Sequence, residues 1–276
     1  MKMSEKSDTG TPYTREGDRI YLGELPVSIA EVGVKITDLT DSRGYYLGSD
    51  GSCYARVIAT PKTEGYKLSS GEEIVAGRVY YLRVEPIAWR VLAERDGTAL
   101  LLSEYIIANM PYRRTTCDLP LGDGGNVNNY SQSDIRRWLL EDFLGGAFSD
   151  REREIIDTRE VDNGAASTTA ESNPYACENT LDPVFLLSYR DIVDDSLALT
   201  QRGIAIATVT DYARATGAFI STDVQKYGSG FWWLRTPMAN NGGQTLSMTN
   251  STTVSKVASL VGAENIGVRP AMWIRL

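Results

Sequence analysis

Thirty-six Asp and Glu residues, three cysteines and not one histidine define the chemistry open to this 276-residue chain. Without imidazole there is no Ser-His-Asp or Cys-His nucleophile pair, no His-ligated zinc and no histidine pH switch. Cys53, Cys117 and Cys177 are widely separated and form no C-x-x-C pair, so neither a zinc cluster nor a dithiol redox motif fits them. Three unrelated core thiols are the expected reading. Asp191, Asp194 and Asp195 are closely spaced, but they fall on one predicted helix with no opposing acid. That pattern suits a solvated helix face rather than the acid and base of a carboxylate-based hydrolase. The loop GDGGNVNN at 122–129 misses the spacing of a calcium loop, since Gly125 and Val127 stand where ligands should follow Asp123. No catalytic residue, metal ligand or cofactor is therefore expected.

What the chain does offer is hydrogen-bonding chemistry. Residues 239–266 hold four Asn, four Ser and four Thr, with only Lys256 and Glu264 charged and no aromatic residue. Hydroxyls and amides donate and accept hydrogen bonds, but none has a useful pKa near neutrality. Leu246 and Met248 alternate with Thr245, Ser247 and Thr249, and Val254, Val257 and Val261 are spaced so that each could be buried. Ordered short strands and loops are expected, anchored in the core on one side and showing short polar groups on the other.

Net charge is −8, from 28 Lys plus Arg against 36 acids, and no basic block stands out. Nucleic acid is therefore a poor partner, because backbone binding needs clustered Lys and Arg. No run approaches the ~18 apolar residues of a membrane span, and residues 1–19 contain no apolar signal core. With no signal peptide or membrane segment visible, the location stays open between cytoplasm and virion, and the oligomeric state is open as well.

The elements that must position the polar segment follow from local signals. Residues 1–19 read as a disordered leader, residues 20–75 as a small β-rich extension, and residues 76–276 as the main domain. Asp50-Gly51 and Asp96-Gly97 each lie between strand-like runs and predict hairpins. Ser131/Asp134, Ser149/Glu152, Ser188/Asp191 and Thr208/Asp211 predict helix starts. In the first of these, Ile135, Trp138, Leu139 and Phe143 share a face, and Gly145-Gly146 is expected to end the helix. Residues 159–182 read as a long surface loop. Two strands close the chain: FWWLR, with Phe231, Trp233 and Arg235 opposite Trp232 and Leu234, and GVRPAMWIRL, with Val268, Met272 and Ile274 opposite Arg269, Ala271 and Trp273.

Six motifs, VEPIAWRVL (84–92), LLLS (100–103), SDIRRWLL (133–140), FLLS (185–188), WWLRTP (232–237) and GVRPAMW (267–273), occur in an order that resembles a bacterial and phage domain family related to the formylglycine-generating enzymes. The resemblance covers about residues 76–276. It implies an α+β, C-type-lectin-like fold with mixed, mainly antiparallel sheets and two to four short helices. Members of the family are known as variable proteins of diversity-generating retroelements, so the resemblance also implies a diversifiable stretch at 232–267 on a fixed apolar scaffold. The expected contact residues are Trp232, Arg235, Asn240, Asn241, Gln244, Thr245, Ser247, Thr249, Asn250, Ser255, Lys256 and Asn265. For Arg235 and Arg269 a buried ion pair with a helix acid such as Asp134 is the competing, structural role.

The expected function is non-enzymatic binding of a protein or glycan, possibly on a cell surface. A phage tail-tip or capsid-decoration component would share the same contact face. A formylglycine-generating-like oxidase is disfavoured because no cysteine follows Cys177. Calcium-dependent sugar binding lacks its EPN, QPD and WND signatures.

Overall fold

The computed structural model describes residues 10–114, 126–165, 172–249 and 258–276. The fold is α+β, with mainly antiparallel sheets and a few short helices. Its longest element is β6 (Val79–Arg95), whose two edges organise the larger sheet. On one edge lies β2 (Arg19–Ile29), paired from Arg90 to Leu82. On the other lie β5 (Cys53–Ile58) along residues 79–83 and β7 (Thr98–Ser103) along residues 89–95. Beyond β5 come β4 (Tyr46–Gly48) and β3 (Ile36–Thr40), and beyond β7 comes β17 (Ala271–Arg275). β17 in turn pairs with β9 (Ile156–Asp157) and β12 (Val184–Phe185).

The two Asp-Gly hairpins form as expected. Asp96 and Gly97 have φ of 50° and 72°, the two positive values that a two-residue turn between right-twisted strands requires. Gly51, at φ 80°, serves the β4–β5 turn. The expected leader is shorter than 19 residues, because β1 (Thr14–Glu16) folds back on β2 around Gly17; residues 1–9 lie outside the described residues. The β-rich extension shares β6 with the main domain, so its strands belong to the same sheet. Residues 159–182 are not loop throughout, and residues 166–171 lie outside the described residues. β10 (Arg159–Val161) and β11 (Thr180–Asp182) pair with each other.

The smaller sheet carries the polar segment. Its order is β15 (Ala258–Leu260), β14 (Gln244–Met248), β13 (Trp232–Pro237), β16 (Gly267–Val268), β8 (Ala108–Asn109), with only the β13–β16 pair parallel. Apolar cores cover both of its faces. Trp233 and Val268 join Trp89, Leu139 and Met272 on one side, while Trp232, Leu234, Leu246 and Met248 join Leu102, Leu187 and Ala271 on the other. The alternations expected in FWWLR and GVRPAMWIRL therefore hold, but each face meets a core rather than water.

Helix starts are right in two cases and displaced by two residues in the others. Ser149 and Ser188 form full capping boxes with Glu152 and Asp191. Ser133 rather than Ser131 caps the helix beginning at Asp134, and Thr210 rather than Thr208 caps Asp211–Ala215. Ile135, Leu139 and Phe143 are buried on one face as expected, with Trp138 half-buried and stacked on Phe143. Gly145-Gly146 does not stop this helix: a π-helical turn, Leu139–Phe143, is followed by a further α-turn, Leu144–Ala147, that includes both glycines. Asp191, Asp194 and Asp195 do not share a helix, since Tyr189–Val193 ends before the latter two.

Candidate ligand-contact surface

The expected contact residues divide by burial. Asn240 and Asn241 are exposed at the tip of the β13–β14 hairpin, and Gln244 and Asn265 are half-buried. Trp232, Arg235, Thr245, Ser247 and Thr249 are buried, which corrects their assignment to an outward face. The reason is the second core. A strand with one wet face would show its hydroxyls to water, but the sheet that holds β14 has an apolar core on each face, and Thr245 and Ser247 are buried, the latter paired with Trp233 of β13. Burial does not strand Ser247, whose hydroxyl lies 3.0 Å from that of Ser259 across the β14–β15 pair. Asn250, Ser255 and Lys256, with Val254 and Val257, lie outside the described residues.

Trp232 and Arg235 are framework. The Trp232 indole donates to the Ala205 carbonyl at 3.1 Å, and the Arg269 guanidinium stacks 5.1 Å from its ring centre. Arg235 does pair with a helix acid, but the acid is Asp191, at 2.8 Å, rather than Asp134. Asp134 instead accepts from the Arg114 backbone and pairs with Arg137. Among the described residues Arg269 pairs with no carboxylate; it donates to the carbonyls of Ser103 at 2.8 Å and Ile204 at 2.6 Å.

What holds the hairpin tip was not visible in the sequence. Asn128 is completely buried, and its side-chain amide donates to the carbonyls of Asn241 (3.1 Å) and Gln244 (2.9 Å), while its backbone N–H donates to Gly242 (3.2 Å). Asn173, also buried, donates to the Pro237 carbonyl at 3.0 Å. Beyond β15 the pattern continues. The backbone N–H groups of Arg113, Phe219, Met110 and Ile107 donate to the carbonyls of Val261, Asn265, Ile266 and Val268, and the Asn109 amide donates to that of Glu264. Donors from outside the segment thus grip its main chain at nine carbonyls between residues 237 and 268. Such a grip reads backbone, not side chains, and leaves the tip's side chains unspecified.

The Asn241 side chain is partly committed, since its oxygen accepts from the Gly243 N–H at 2.9 Å in an Asx turn. Asn240 and Gln244 present their amides at the surface edge, with half-buried Tyr175 close beside Gly242. Val261 donates to the Gly243 carbonyl, which brings the turn after β15 against the tip. A cavity of about 490 Å³ borders the turn after β15, lined by Asn109, Met110, Arg114, Gly262 and Glu264 and by no residue of the β13–β14 tip. Its volume falls within the usual range of small-ligand clefts.

Burial pushes the Cys177 thiol above its ordinary pKa, and burial together with Asp41 does the same to Cys53, so both stay protonated thiols at neutral pH. Burial also keeps Tyr112 a neutral donor, 3.2 Å from the Arg235 carbonyl. Asp191 is spent on its capping box and on Arg235, Asp194 accepts from the Ser196 N–H, and Asp195 accepts from Gln201. No helix among the described residues is long and apolar enough to cross a membrane.

Residues 96–276 match a family model described as a domain of unknown function, DUF6273. No curated protein and no solved structure matches the chain.

Proposed function

Because the chain belongs to the DUF6273 family, whose description specifies no activity, we propose from its own geometry that it is a non-enzymatic ligand-binding protein. Its contact surface is the β13–β14 tip and the adjoining turn after β15. The observation that carries this reading is the main-chain grip on residues 237–268, in which buried Asn128 and Asn173 and backbone donors hold carbonyls while Asn240 and Gln244 remain unencumbered. A surface built so tolerates change at its contact positions without loss of the backbone that presents them. The alternation of buried framework residues with exposed amides also suits a C-type-lectin-like scaffold, the fold that the six ordered motifs imply.

Diversification by a retroelement is the further layer of the same reading. It assigns the variable positions to Asn240, Asn241, Gln244 and Asn265, together with Asn250, Ser255 and Lys256, and withdraws Trp232, Arg235, Thr245, Ser247 and Thr249 to the scaffold. A reverse-transcriptase gene and a near-copy of the coding segment beside this gene are its expected genomic signature, and the lack of both would overturn it. Binding itself is tested on glycan and protein arrays with the purified chain. Specific hits should vanish in the double variant Asn240→Ala, Gln244→Ala while the melting temperature holds. Hits that survive both substitutions would move the site elsewhere.

A further inference from the structure

Away from that surface, three arginines share two acids beside a fourth arginine that is buried. Arg90 forks onto Glu104, with Nη2 at 2.6 Å from Oε1 and Nε at 2.9 Å from Oε2, and its Nη1 reaches Asp18 at 2.7 Å. Arg19 shares Glu104 at 3.1 Å, and Arg202 shares Asp18 at 3.3 Å. Arg269 lies beneath them, 1% exposed, with only backbone carbonyls as hydrogen-bond acceptors. All of these groups except Arg19 line an open cleft of about 210 Å³, together with Ile204. The guanidiniums of Arg90, Arg202 and Arg269 against the carboxylates of Asp18 and Glu104 leave that cleft an excess of one positive charge, in a protein whose net charge is −8.

A buried cation without a counter-ion is costly, and backbone carbonyls offset only part of that cost. Burial draws the Arg269 pKa down to about 9, which leaves it protonated at neutral pH. Glu104 does not relieve it fully, because both Arg90 and Arg19 already draw on the same carboxylate. Each guanidinium carries five N–H donors, and the hydrogen bonds of Arg90, Arg202 and Arg269 leave several of them uncommitted around the cleft. Planar donor forks of this kind match tetrahedral and carboxylate oxyanions.

We propose that the Arg90–Arg202–Arg269 cleft is a binding site for a phosphate group, free or on a small metabolite. The surplus positive charge of the lining and its uncommitted N–H donors suit an oxyanion, and the volume lies below the roughly 300 Å³ at which drug-sized pockets begin. Asp18 stands at the rim with its side chain half exposed and competes with the incoming anion for Arg202 and Arg90. A phosphate in the cleft takes over the Arg202 contact while Arg90 keeps its fork on Glu104.

Titration calorimetry of the full chain with inorganic phosphate, against sodium acetate at equal ionic strength, tests this. Phosphate should bind at one saturable site and acetate at least about tenfold more weakly, a difference of about 1.4 kcal/mol. Arg202→Gln, on a loop residue one-third exposed, should weaken phosphate binding about tenfold. Asp18→Asn, which removes the competing carboxylate, should tighten it by about threefold. Absence of saturable binding, equal binding of acetate, or an Asp18→Asn affinity equal to or weaker than the parent's would overturn the proposal. The last outcome decides the matter even if Arg202→Gln fails to fold.

Discussion

Replacing Asn128 by Ala should loosen the proposed contact surface without touching any residue that meets the ligand. The change removes two amide hydrogen bonds, to the carbonyls of Asn241 and Gln244, at 3.1 and 2.9 Å. Each is a neutral bond worth about 1 kcal/mol net. The small void left by a buried amide adds to the loss, so a total of about 2 to 3 kcal/mol is expected. For a chain of this length that corresponds to a fall in melting temperature of roughly 3 to 5 °C. Asn128→Asp should cost more, because it keeps the volume but turns an oxygen toward two carbonyl oxygens. Asn240→Ala, on the exposed tip, should cost within about 0.5 kcal/mol. Urea denaturation measures all three, and amide hydrogen exchange locates the effect: protection at Gly243 and Val261, whose N–H groups bond within the tip, should drop first in Asn128→Ala. If Asn128→Ala proves as stable as the parent, or Asn240→Ala costs as much as Asn128→Ala, the tip is not held by its main chain and the reasoning fails.

Two further outcomes follow from the ion pairs. Asp191→Ala removes acceptors for Ser188 and for Arg235, whose side chain is 7% exposed, and should destabilise the chain by about 3 kcal/mol in urea titrations; a loss under about 1 kcal/mol would mean that Arg235 finds other partners. Burial opposes ionisation of Glu104, but hydrogen bonds from Arg90 and Arg19 outweigh it and hold the carboxyl below its ordinary pKa. Its contribution to stability is therefore fully present above the unfolded value of about 4.3 and disappears as pH falls through the lower folded value. The Glu104→Gln variant should show a shallower loss of stability between about pH 5 and pH 3 than the parent; parallel curves would contradict the assigned shift.

Local signals in the sequence were read correctly where their partners are also local. The Asp96-Gly97 turn needs only two residues with positive φ, and the capping boxes at Ser149 and Ser188 close within three residues. The two displaced caps show the limit of that logic. Ser131 and Thr208 stand two residues before the true caps, Ser133 and Thr210, whose hydroxyls accept from the N–H groups of Arg136 and Ala213. The contact surface was half legible. Asn240 and Asn241 follow from composition, whereas Thr245, Ser247 and Thr249 were assigned outward because alternation along one strand does not reveal a second core behind it. Asn128 carried no local signal. Its two acceptors lie 113 and 116 residues away, and the loop GDGGNVNN reads as polar surface. Arg235 was assigned the right kind of partner and the wrong one, since Asp191 had already been accounted for as a cap.

The continuity of β6 bears on where this molecule can be cut. The family match starts at residue 96, one residue past the end of that strand. A fragment starting there would keep β7 and β17 but lose the neighbour that covers the far edge of β7, along with Trp89, whose indole donates to the Leu22 carbonyl. The matched portion and the sheet that completes it therefore have different beginnings. A truncation meant to isolate the matched portion must keep β6 if β7 is to stay paired on both edges.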